Sequence, residues 1–193
     1  MGTQTEMALD ALYRDLTRLT AEGERAVVAI EGRCAAGKST LARRLSERFG
    51  TPVAHMDHFF LRPEQRTEER LAKPGENVDH ERFLREVLEP LAAGETVTYR
   101  SWSCRTETLG EPIALAPSPV VLVEGSYSCH PSLWDFYARR VFLTVDPQEQ
   151  LRRIEARDGP SKLRAFREKW IPLEERYFSA FQVEKRCDYR LEL

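Results

Sequence analysis

Short apolar runs and amphipathic stretches alternate along most of the chain. Runs rich in β-branched residues predict strands, and apolar residues three or four positions apart predict helices between them. The run Val120–Val123 is apolar throughout, which is typical of a central strand in a parallel sheet. We therefore expect a doubly wound α/β layout. The predicted strands cover residues 26–31, 53–57, 96–99, 120–124, 140–145 and 187–191.

An amphipathic helix is predicted at the N-terminus, over residues 5–22. We expect its apolar face to pack on the sheet. The alternative is a contact between two copies through the same face, which would make the protein a homo-oligomer. That face carries Leu9, Leu12, Leu16 and Leu19. Further helices are predicted at 40–49, 80–93, 147–157 and 161–181, and Pro172 is expected to kink or interrupt the last of them.

Length and charge limit the classes of function. The chain has 193 residues, of which 41% are hydrophobic and 31% charged, and its formal net charge is −2. This composition suits one globular domain over residues 1–193 and favours neither nucleic-acid nor membrane binding. The stretch 62–78 is polar and punctuated by proline and glycine, so we expect a long irregular segment there that acts as a mobile flap.

The cysteines and the N-terminal sequence predict the cellular compartment of the protein. The four cysteines show no C-x-x-C spacing, so we expect free thiols in a reducing environment and no zinc site built on them. No signal peptide is visible at the N-terminus, and no apolar run is long enough to cross a membrane. These features predict a cytoplasmic protein. The cysteines are Cys34, Cys104, Cys129 and Cys187.

The strongest motif lies between the first predicted strand and the helix after it. Residues 32–39 read Gly-Arg-Cys-Ala-Ala-Gly-Lys-Ser, which fits the phosphate-binding P-loop pattern. Backbone amides of such a loop point at an anion, Lys38 would reach the β- and γ-phosphates, and the Ser39 hydroxyl would bind Mg²⁺. The alternative is an ordinary glycine-rich turn. The expected binding residues are Gly32, Arg33, Cys34, Ala35, Ala36, Gly37, Lys38, Ser39 and Thr40.

Two carboxylates follow predicted strands directly. Asp57 ends the strand 53–57, and Glu124 ends the strand 120–124. In an open parallel sheet these ends face the ligand crevice, so both residues are candidate Mg²⁺ ligands beside Ser39. The alternatives are that Asp57 caps the next helix and that Glu124 forms a salt bridge with Lys38 only.

Three arginines lie on the predicted helix 147–157. Arg152, Arg153 and Arg157 could close over transferring phosphates, which would make residues 147–165 a small lid. The alternative is that they form a solvated helix face.

Taken in order, these motifs resemble the uridine kinase-like branch of P-loop kinases, which includes phosphoribulokinase and pantothenate kinase relatives. The resemblance implies a three-layer P-loop fold, with a mostly parallel five-stranded sheet between helices and a small lid. It also implies ATP and Mg²⁺ as cofactors, Asp57 as the catalytic base, and catalytic roles for Lys38, Arg153 and Arg157. The matching elements are residues 32–39, Asp57-His58-Phe59-Phe60, Asn77-Val78-Asp79-His80, Tyr99, Glu124-Gly125, Arg153, Arg157 and Asp158.

The acceptor side departs most from that family. The resemblance implies that Asp57, Asp79 and Tyr99 contact the acceptor and that the segment 62–78 covers it. Arg100, however, replaces an aspartate of the family pattern, and Cys104 replaces a histidine. Glu81 replaces a proline, and Arg105 lies nearby, where it would suit an anionic acceptor.

The expected activity is therefore phosphoryl transfer to a hydroxyl of a small molecule, first of all a nucleoside 5′-hydroxyl. One alternative is a kinase for another small alcohol, such as a vitamin precursor or a sugar phosphate. The other is a nucleotide-binding regulatory protein that hydrolyses ATP slowly or not at all.

Overall fold

The computed structural model describes residues 2–23 and 25–193 and contains one central parallel sheet. Its five strands follow the order β2-β5-β1-β6-β7, which confirms the predicted α/β class. The strands are β1 (Ala26–Gly32), β2 (Val53–His55), β5 (Val120–Glu124), β6 (Arg139–Thr144) and β7 (Tyr189–Glu192). A second, two-stranded sheet contains β3 (Thr98–Ser103) and β4 (Thr108–Ala114).

The register of the parallel strands aligns their carboxyl ends. Ile30 of β1 pairs with Glu124 of β5, and Glu124 pairs with His55 of β2. Strand β5 is buried at every position because sheet neighbours and helices enclose it. The residues that follow β1, β2 and β5 therefore meet at one edge of the sheet.

Helices cover both faces of the sheet and form two apolar cores. On one face, α1 (Gly2–Glu22) and α2 (Lys38–Phe49) bury leucines such as Leu16 and Leu45 against Ile30 and Leu122. The apolar face of α1 thus packs within the chain. On the other face, the chain segments 80–93 and 160–181 bury large aromatic side chains against Val123 and Phe142. The remaining helices are Met56–Phe59, Pro63–Gln65, Glu68–Leu71, Pro131–Phe136, Pro147–Asp158 and Val183–Arg186.

Both long helices on the second face contain one wide π-helical turn just before a proline. The turn Leu84–Leu88 precedes Pro90, and the turn Phe166–Trp170 precedes Pro172. Proline lacks an N–H and its ring clashes with the carbonyl of the preceding turn. The wide turn relieves that conflict, so helix 160–181 continues through Pro172 instead of breaking there.

The strand predicted at 96–99 does not belong to the main sheet. Strand β3 begins at Thr98 and pairs antiparallel with β4, and only Tyr99 of β3 is fully buried. A strand with this mixed, polar pattern cannot occupy the interior of a parallel sheet. The turn that joins β3 to β4 lies at residues 104–107, and Leu109 pairs with Trp102.

The segment 62–78 is less irregular than predicted. It contains the short helices Pro63–Gln65 and Glu68–Leu71. Arg70 donates hydrogen bonds to the backbone oxygens of Glu76 and Val78, which ties the segment to its own end. Among the described residues, no helix has the length and apolar character needed to cross a membrane.

Candidate active site

The loop 32–39 curls between β1 and α2. Gly37 and Ala35 have left-handed backbones, with φ of 97° and 58°. A Cβ atom on Gly32 would lie 2.1 Å from the Leu143 carbonyl oxygen, so only glycine allows β1 and β6 to approach here. Helix α2 begins at Lys38, and the amides of its first turn have no partner within the helix. Together, the curl and the helix start form an anion cradle.

Lys38 points into this curl. Its Nζ donates hydrogen bonds to the backbone oxygens of Gly32 and Arg33 at 2.6 and 3.0 Å, and to Ser126 Oγ at 3.2 Å. The side chain is buried, so its charge lies in a region of low dielectric where it acts strongly on a nearby anion. The loop geometry and this charge fit a nucleotide polyphosphate.

Glu174 closes the mouth of the loop, a contact that the sequence did not predict. Its Oε2 accepts from the Cys34 amide at 2.9 Å, and its Oε1 accepts from Ser126 Oγ at 2.6 Å. This carboxylate occupies a position that a phosphate oxygen could take, because both groups are anions that accept from a loop amide. Glu174 and Cys34 are 140 residues apart, so no local pattern reveals the contact.

The other loop side chains face away from the curl. Arg33 binds Glu175, Glu184 and Thr144, which fastens the loop to the C-terminal helices. Cys34 Sγ accepts from Gln150, and burial raises the pKa of its thiol to about 12. The backbone, not these side chains, is therefore what the loop can offer a phosphate. Ala36 is buried in the core and Thr40 is exposed.

The three residues predicted as Mg²⁺ ligands lie close together beside the loop. Ser39 Oγ donates to Glu124 Oε2 at 3.1 Å. Asp57 lies in the short helical turn Met56–Phe59 after β2, and its side chain does not cap that turn. Its Oδ1 is close to Gly125, the residue after Glu124: a Cβ atom added to Gly125 would lie 3.4 Å from this oxygen. A hydroxyl and two carboxylates suit Mg²⁺, which prefers oxygen ligands. The residues present thus fit the cation.

The charges at this edge influence one another. Crowding by protein atoms and then the Glu124 charge raise the pKa of Asp57, although its side chain reaches solvent. Burial alone would raise the pKa of Glu124, but the His55 hydrogen bond and charge lower it. His55 Nδ1 is 2.6 Å from Glu124 Oε1, and this hydrogen bond raises the pKa of His55. Glu124 thus pairs with Ser39 and His55, not with Lys38.

A buried carboxylate, Glu31, supports the loop from below. Its oxygens accept from the amides of Gly32, Tyr127 and Cys129 and from the Tyr177 hydroxyl. Full burial raises the pKa of Glu31 to about 7, although Lys38 and the amides oppose that shift. Glu31 thus joins the start of the loop to the segment after β5. Its role was not predicted from the sequence, because it is a single residue within an otherwise apolar strand.

The three arginines of helix Pro147–Asp158 have different surroundings. Arg153 donates to Glu149 at 2.7 Å and approaches the Ala35 carbonyl at 3.4 Å, so it lies beside the loop. Arg157 pairs with Asp158 and stacks near Phe166, away from the loop. Arg152 is exposed and pairs with Glu149.

Asp79 and Tyr99 lie near the Asp57 turn. The Asp79 amide donates to the Phe59 carbonyl at 2.7 Å, and its Oδ1 caps helix 80–93. Its Oδ2 is buried and accepts no hydrogen bond, but it is ion-paired with two arginines, 3.6 Å from Arg82 Nε and 3.9 Å from Arg62 Nη2. The Tyr99 hydroxyl lies 3.2 Å from His58 Nδ1. His58 is a residue that the motif match contained without assigning it a role.

Arg105 is not brought to this group. It lies exposed in the turn 104–107 at the tip of the hairpin. Nearby, Cys104 Sγ accepts from Arg66, and Arg100 donates to the Gly110 carbonyl.

A phosphate-binding loop beside acidic strand ends, on a five-stranded parallel sheet, defines the class of P-loop proteins with a kinase-like fold. A model of the AAA domain family matches residues 28–173. The chain therefore belongs to the AAA domain family. No curated protein sequence matches it.

Solved structures extend the comparison of the fold. A protein described as a possible uridine kinase, from Bacillus stearothermophilus, is 20% identical with a TM-score of 0.65, covering 94% of this chain and 99% of its own. A candidate fructose transport system kinase from a Silicibacter species is also 20% identical, with a TM-score of 0.65 and coverages of 93% and 97%. A candidate P-loop kinase with a circular permutation, from Saccharomyces cerevisiae, is 12% identical, with a TM-score of 0.63 and coverages of 97% and 98%. These likenesses confirm the predicted fold class.

Proposed function

We propose that this protein transfers the γ-phosphoryl group of ATP to a hydroxyl of a small molecule, with a nucleoside 5′-hydroxyl as the first candidate. The observation that carries the proposal is the position of Asp57. Its carboxylate lies beside the Ser39–Glu124 pair, and its turn is tied to Asp79, whose buried Oδ2 accepts no hydrogen bond. A site that only binds nucleotide does not need this second group of polar residues.

The donor residues hold the phosphates. The amides of loop 32–39 and Lys38 bind the polyphosphate, and Glu174 moves away from the Cys34 amide when it does so. Ser39, Glu124 and Asp57 would hold Mg²⁺ directly or through water. When bound, the cation neutralises charge that develops on the phosphate oxygens.

Asp57 is the proposed general base. It accepts the proton of the acceptor hydroxyl and aligns the oxygen for in-line attack. Its raised pKa supports this role, because a base with a pKa closer to the working pH holds the transferred proton better. The acceptor must therefore bind on the Asp57 side of the loop.

Arg153 is the lid residue best placed to act on the transferring group. It approaches the loop through the Ala35 carbonyl, and release from Glu149 would turn its guanidinium toward the phosphates. Arg157 needs a larger movement of the lid region 147–165, since it now pairs with Asp158.

Asp79 and Tyr99 are the proposed acceptor residues. Asp79 Oδ2 accepts no hydrogen bond within the protein, although Arg82 Nε and Arg62 Nη2 lie 3.6 and 3.9 Å away, so it can accept one from a substrate hydroxyl. Tyr99 orients His58 beside the Asp57 turn. The vicinal hydroxyls of a sugar ring could donate the hydrogen bond that Asp79 Oδ2 does not receive within the protein.

An anionic small alcohol is the second candidate acceptor. Arg62 lies on the acceptor side, with its Nη2 3.9 Å from Asp79 Oδ2; its Nε donates no hydrogen bond and lies 3.6 Å from Glu64 Oε1. Arg66 donates to Cys104 Sγ at the hairpin turn that also carries the exposed Arg105. A phosphate or carboxylate on the acceptor would satisfy such arginines bidentately.

The test measures ADP formation with Mg·ATP alone and then with nucleosides, vitamin-like alcohols and sugar phosphates. We expect one acceptor class to raise ADP formation well above the rate without acceptor. Stimulation by anionic alcohols alone would select the second candidate. No stimulation by any acceptor would favour a nucleotide-binding regulatory ATPase.

A further inference from the structure

Two histidines and a glutamate meet away from the phosphate-binding loop. Glu76 lies two residues before the end of segment 62–78, His80 begins helix 80–93, and His130 follows β5 by six residues. The two imidazole rings stack at 3.8 Å between centroids, with 14° between their planes. His80 and His130 are only 8% and 6% exposed. The proposed phosphoryl transfer uses none of the three residues.

Their ligand atoms already form a small triangle. His80 Nε2 lies 3.3 Å from Glu76 Oε1, and His130 Nε2 lies 3.9 Å from the same oxygen. One ligand atom from each residue lies within 4.8 Å of the others. Ligands about 2 Å from a tetrahedral ion are roughly 3.3 Å apart, so the spacing of these atoms suits one ion. An imidazole binds a metal in the plane of its ring, so the two rings would turn out of their stacked arrangement for both nitrogens to point at that ion.

The surrounding groups orient these ligands. Ser132 Oγ lies 2.7 Å from His130 Nδ1 and 3.1 Å from His80 Nδ1. The Ser132 amide donates to His130 Nδ1 at 3.3 Å, so His130 carries its proton on Nε2 here. Zinc binding at Nε2 would move that proton to Nδ1, where Ser132 Oγ can accept it, and His80 Nδ1–H can donate to the same oxygen. Arg70 Nε lies 3.3 Å from Glu76 Oε2, which leaves Oε1 for an ion. Hydrogen bonds of this kind commonly fix the tautomer and orientation of metal ligands.

We propose that Glu76, His80 and His130 bind one Zn²⁺ ion through Oε1 and the two Nε2 atoms. Two imidazoles with one carboxylate suit zinc, whereas Mg²⁺ and Ca²⁺ prefer sites made of oxygen. Glu81 Oε2 is 3.7 Å from His80 Nε2, but Arg70 holds that carboxylate at 2.7 Å. The fourth position is therefore open to water.

The ion would join three distant parts of the chain. It would link the end of segment 62–78, the start of helix 80–93 and the loop after β5. Asp79 immediately precedes His80, so the ion would also fix the backbone of that carboxylate. Because metal binding favours the folded state, zinc should stabilise the protein whether or not it transfers phosphate.

The experiment titrates the chelator-stripped full-length protein with Zn²⁺ against a chromophoric chelator, with excess Mg²⁺ present. We expect one Zn²⁺ per chain and an unfolding temperature about 4 °C or more higher with zinc. Glu76→Gln preserves shape and should weaken zinc binding at least ~10-fold, as should His130→Gln. Glu69→Gln, an exposed acid on the same segment, is the matched control and should change neither value.

The visible absorption spectrum of a Co²⁺-loaded sample shows whether a cysteine thiolate is among the metal ligands. We expect visible bands of a four-coordinate site without the thiolate absorption that a cysteine ligand adds. Failure of the wild type to compete for zinc, binding that survives Glu76→Gln unchanged, or a thiolate band would each overturn the proposal. None of these readouts depends on phosphoryl transfer, so the two proposals fail separately.

Discussion

The donor and acceptor halves of the candidate site are built differently. The donor half comprises loop 32–39 with Asp57 and Glu124, and its polar groups lie within direct reach of one another. The acceptor half comprises residues 77–105. There, Asp79 and Tyr99 connect to the Asp57 turn through Phe59 and His58, whereas the turn 104–107 is exposed at a hairpin tip.

This difference follows from chain topology. Donor residues are consecutive in one loop or stand at the ends of adjacent parallel strands, so backbone register alone brings them together. Acceptor residues lie on a helix start and a separate antiparallel hairpin, and side-chain packing positions them. Substitutions in the donor half should therefore abolish turnover, and those in the acceptor half should shift substrate preference.

The largest effect is expected for Lys38→Ala. It removes the buried cation inside the phosphate cradle, and loss of such a preorganised group costs about 10³-fold in kcat. Steady-state ADP formation with a saturating acceptor measures the change. Arg43→Ala alters an exposed charge on the same helix and is the matched control. Equal turnover in Lys38→Ala and the control would contradict the proposal that Lys38 binds the transferring phosphates.

Asp57→Asn should lower kcat at least ~10²-fold, the scale of a positioned general base. ATP binding should be nearly unchanged, because the loop and Lys38 remain. Equilibrium binding of an ATP analogue, measured beside single-turnover kinetics, separates the two effects. Turnover at the wild-type rate would remove Asp57 from the role of base.

The pH dependence of kcat/KM also tests the role of Asp57 as the general base. The folded protein raises the pKa of Asp57, so the carboxylate becomes protonated at a higher pH than an ordinary aspartate. A protonated Asp57 cannot accept the hydroxyl proton, and kcat/KM should fall as pH decreases through that raised pKa. The acidic limb should be absent from the residual activity of Asp57→Asn. An identical limb in the variant would assign it to another group.

Asp79→Asn should act on the acceptor half alone. The substitution keeps a helix-capping oxygen but removes the negative charge of Oδ2, which faces Arg82 and Arg62 and accepts no hydrogen bond. We expect the acceptor KM to rise roughly tenfold, the worth of one hydrogen bond to a charged group, while the KM for ATP is unchanged. Glu89→Gln, at an exposed position of the same helix, is the control. A shift in the ATP constant instead would place Asp79 in the donor half.

The smallest effect is expected for Glu174→Gln. Removing the negative charge at the Cys34 amide should let phosphates displace this side chain more readily, tightening nucleotide binding by about threefold to tenfold. Titration with a fluorescent ATP analogue measures the change, and Glu168→Gln, an exposed acid of the same helix, controls for general charge effects. Weaker binding in Glu174→Gln would mean that Glu174 supports the cradle instead of competing for it.

The pattern of apolar runs predicted the parallel sheet but missed strand β4 of the hairpin. Buried runs such as 120–124 have a composition that only a central strand satisfies, so their placement was correct. The run at 96–99 is short, and its pairing with Thr108–Ala114 depends on the chain turning at 104–107, which has no glycine or proline signal. The π-turns before Pro90 and Pro172 were invisible because helical spacing looks the same on either side.

The site shows the same division. Lys38, Ser39 and Glu124 could be predicted because a loop motif and strand ends have fixed geometry. Glu174 and Glu31 could not, because their roles depend on partners about a hundred residues away. The Glu76–His80–His130 cluster was hidden for the same reason, since helix packing brings together ligands spread over more than fifty positions.

Acceptor-dependent release of ADP tests the central claim most directly. Wild-type protein with Mg·ATP and the acceptor panel should show one acceptor class that raises ADP formation, with equimolar phosphorylated product, and Asp57→Asn should lose that rise. The same low rate of ADP formation with every acceptor, in wild type and Asp57→Asn alike, would contradict a two-substrate site organised around loop 32–39.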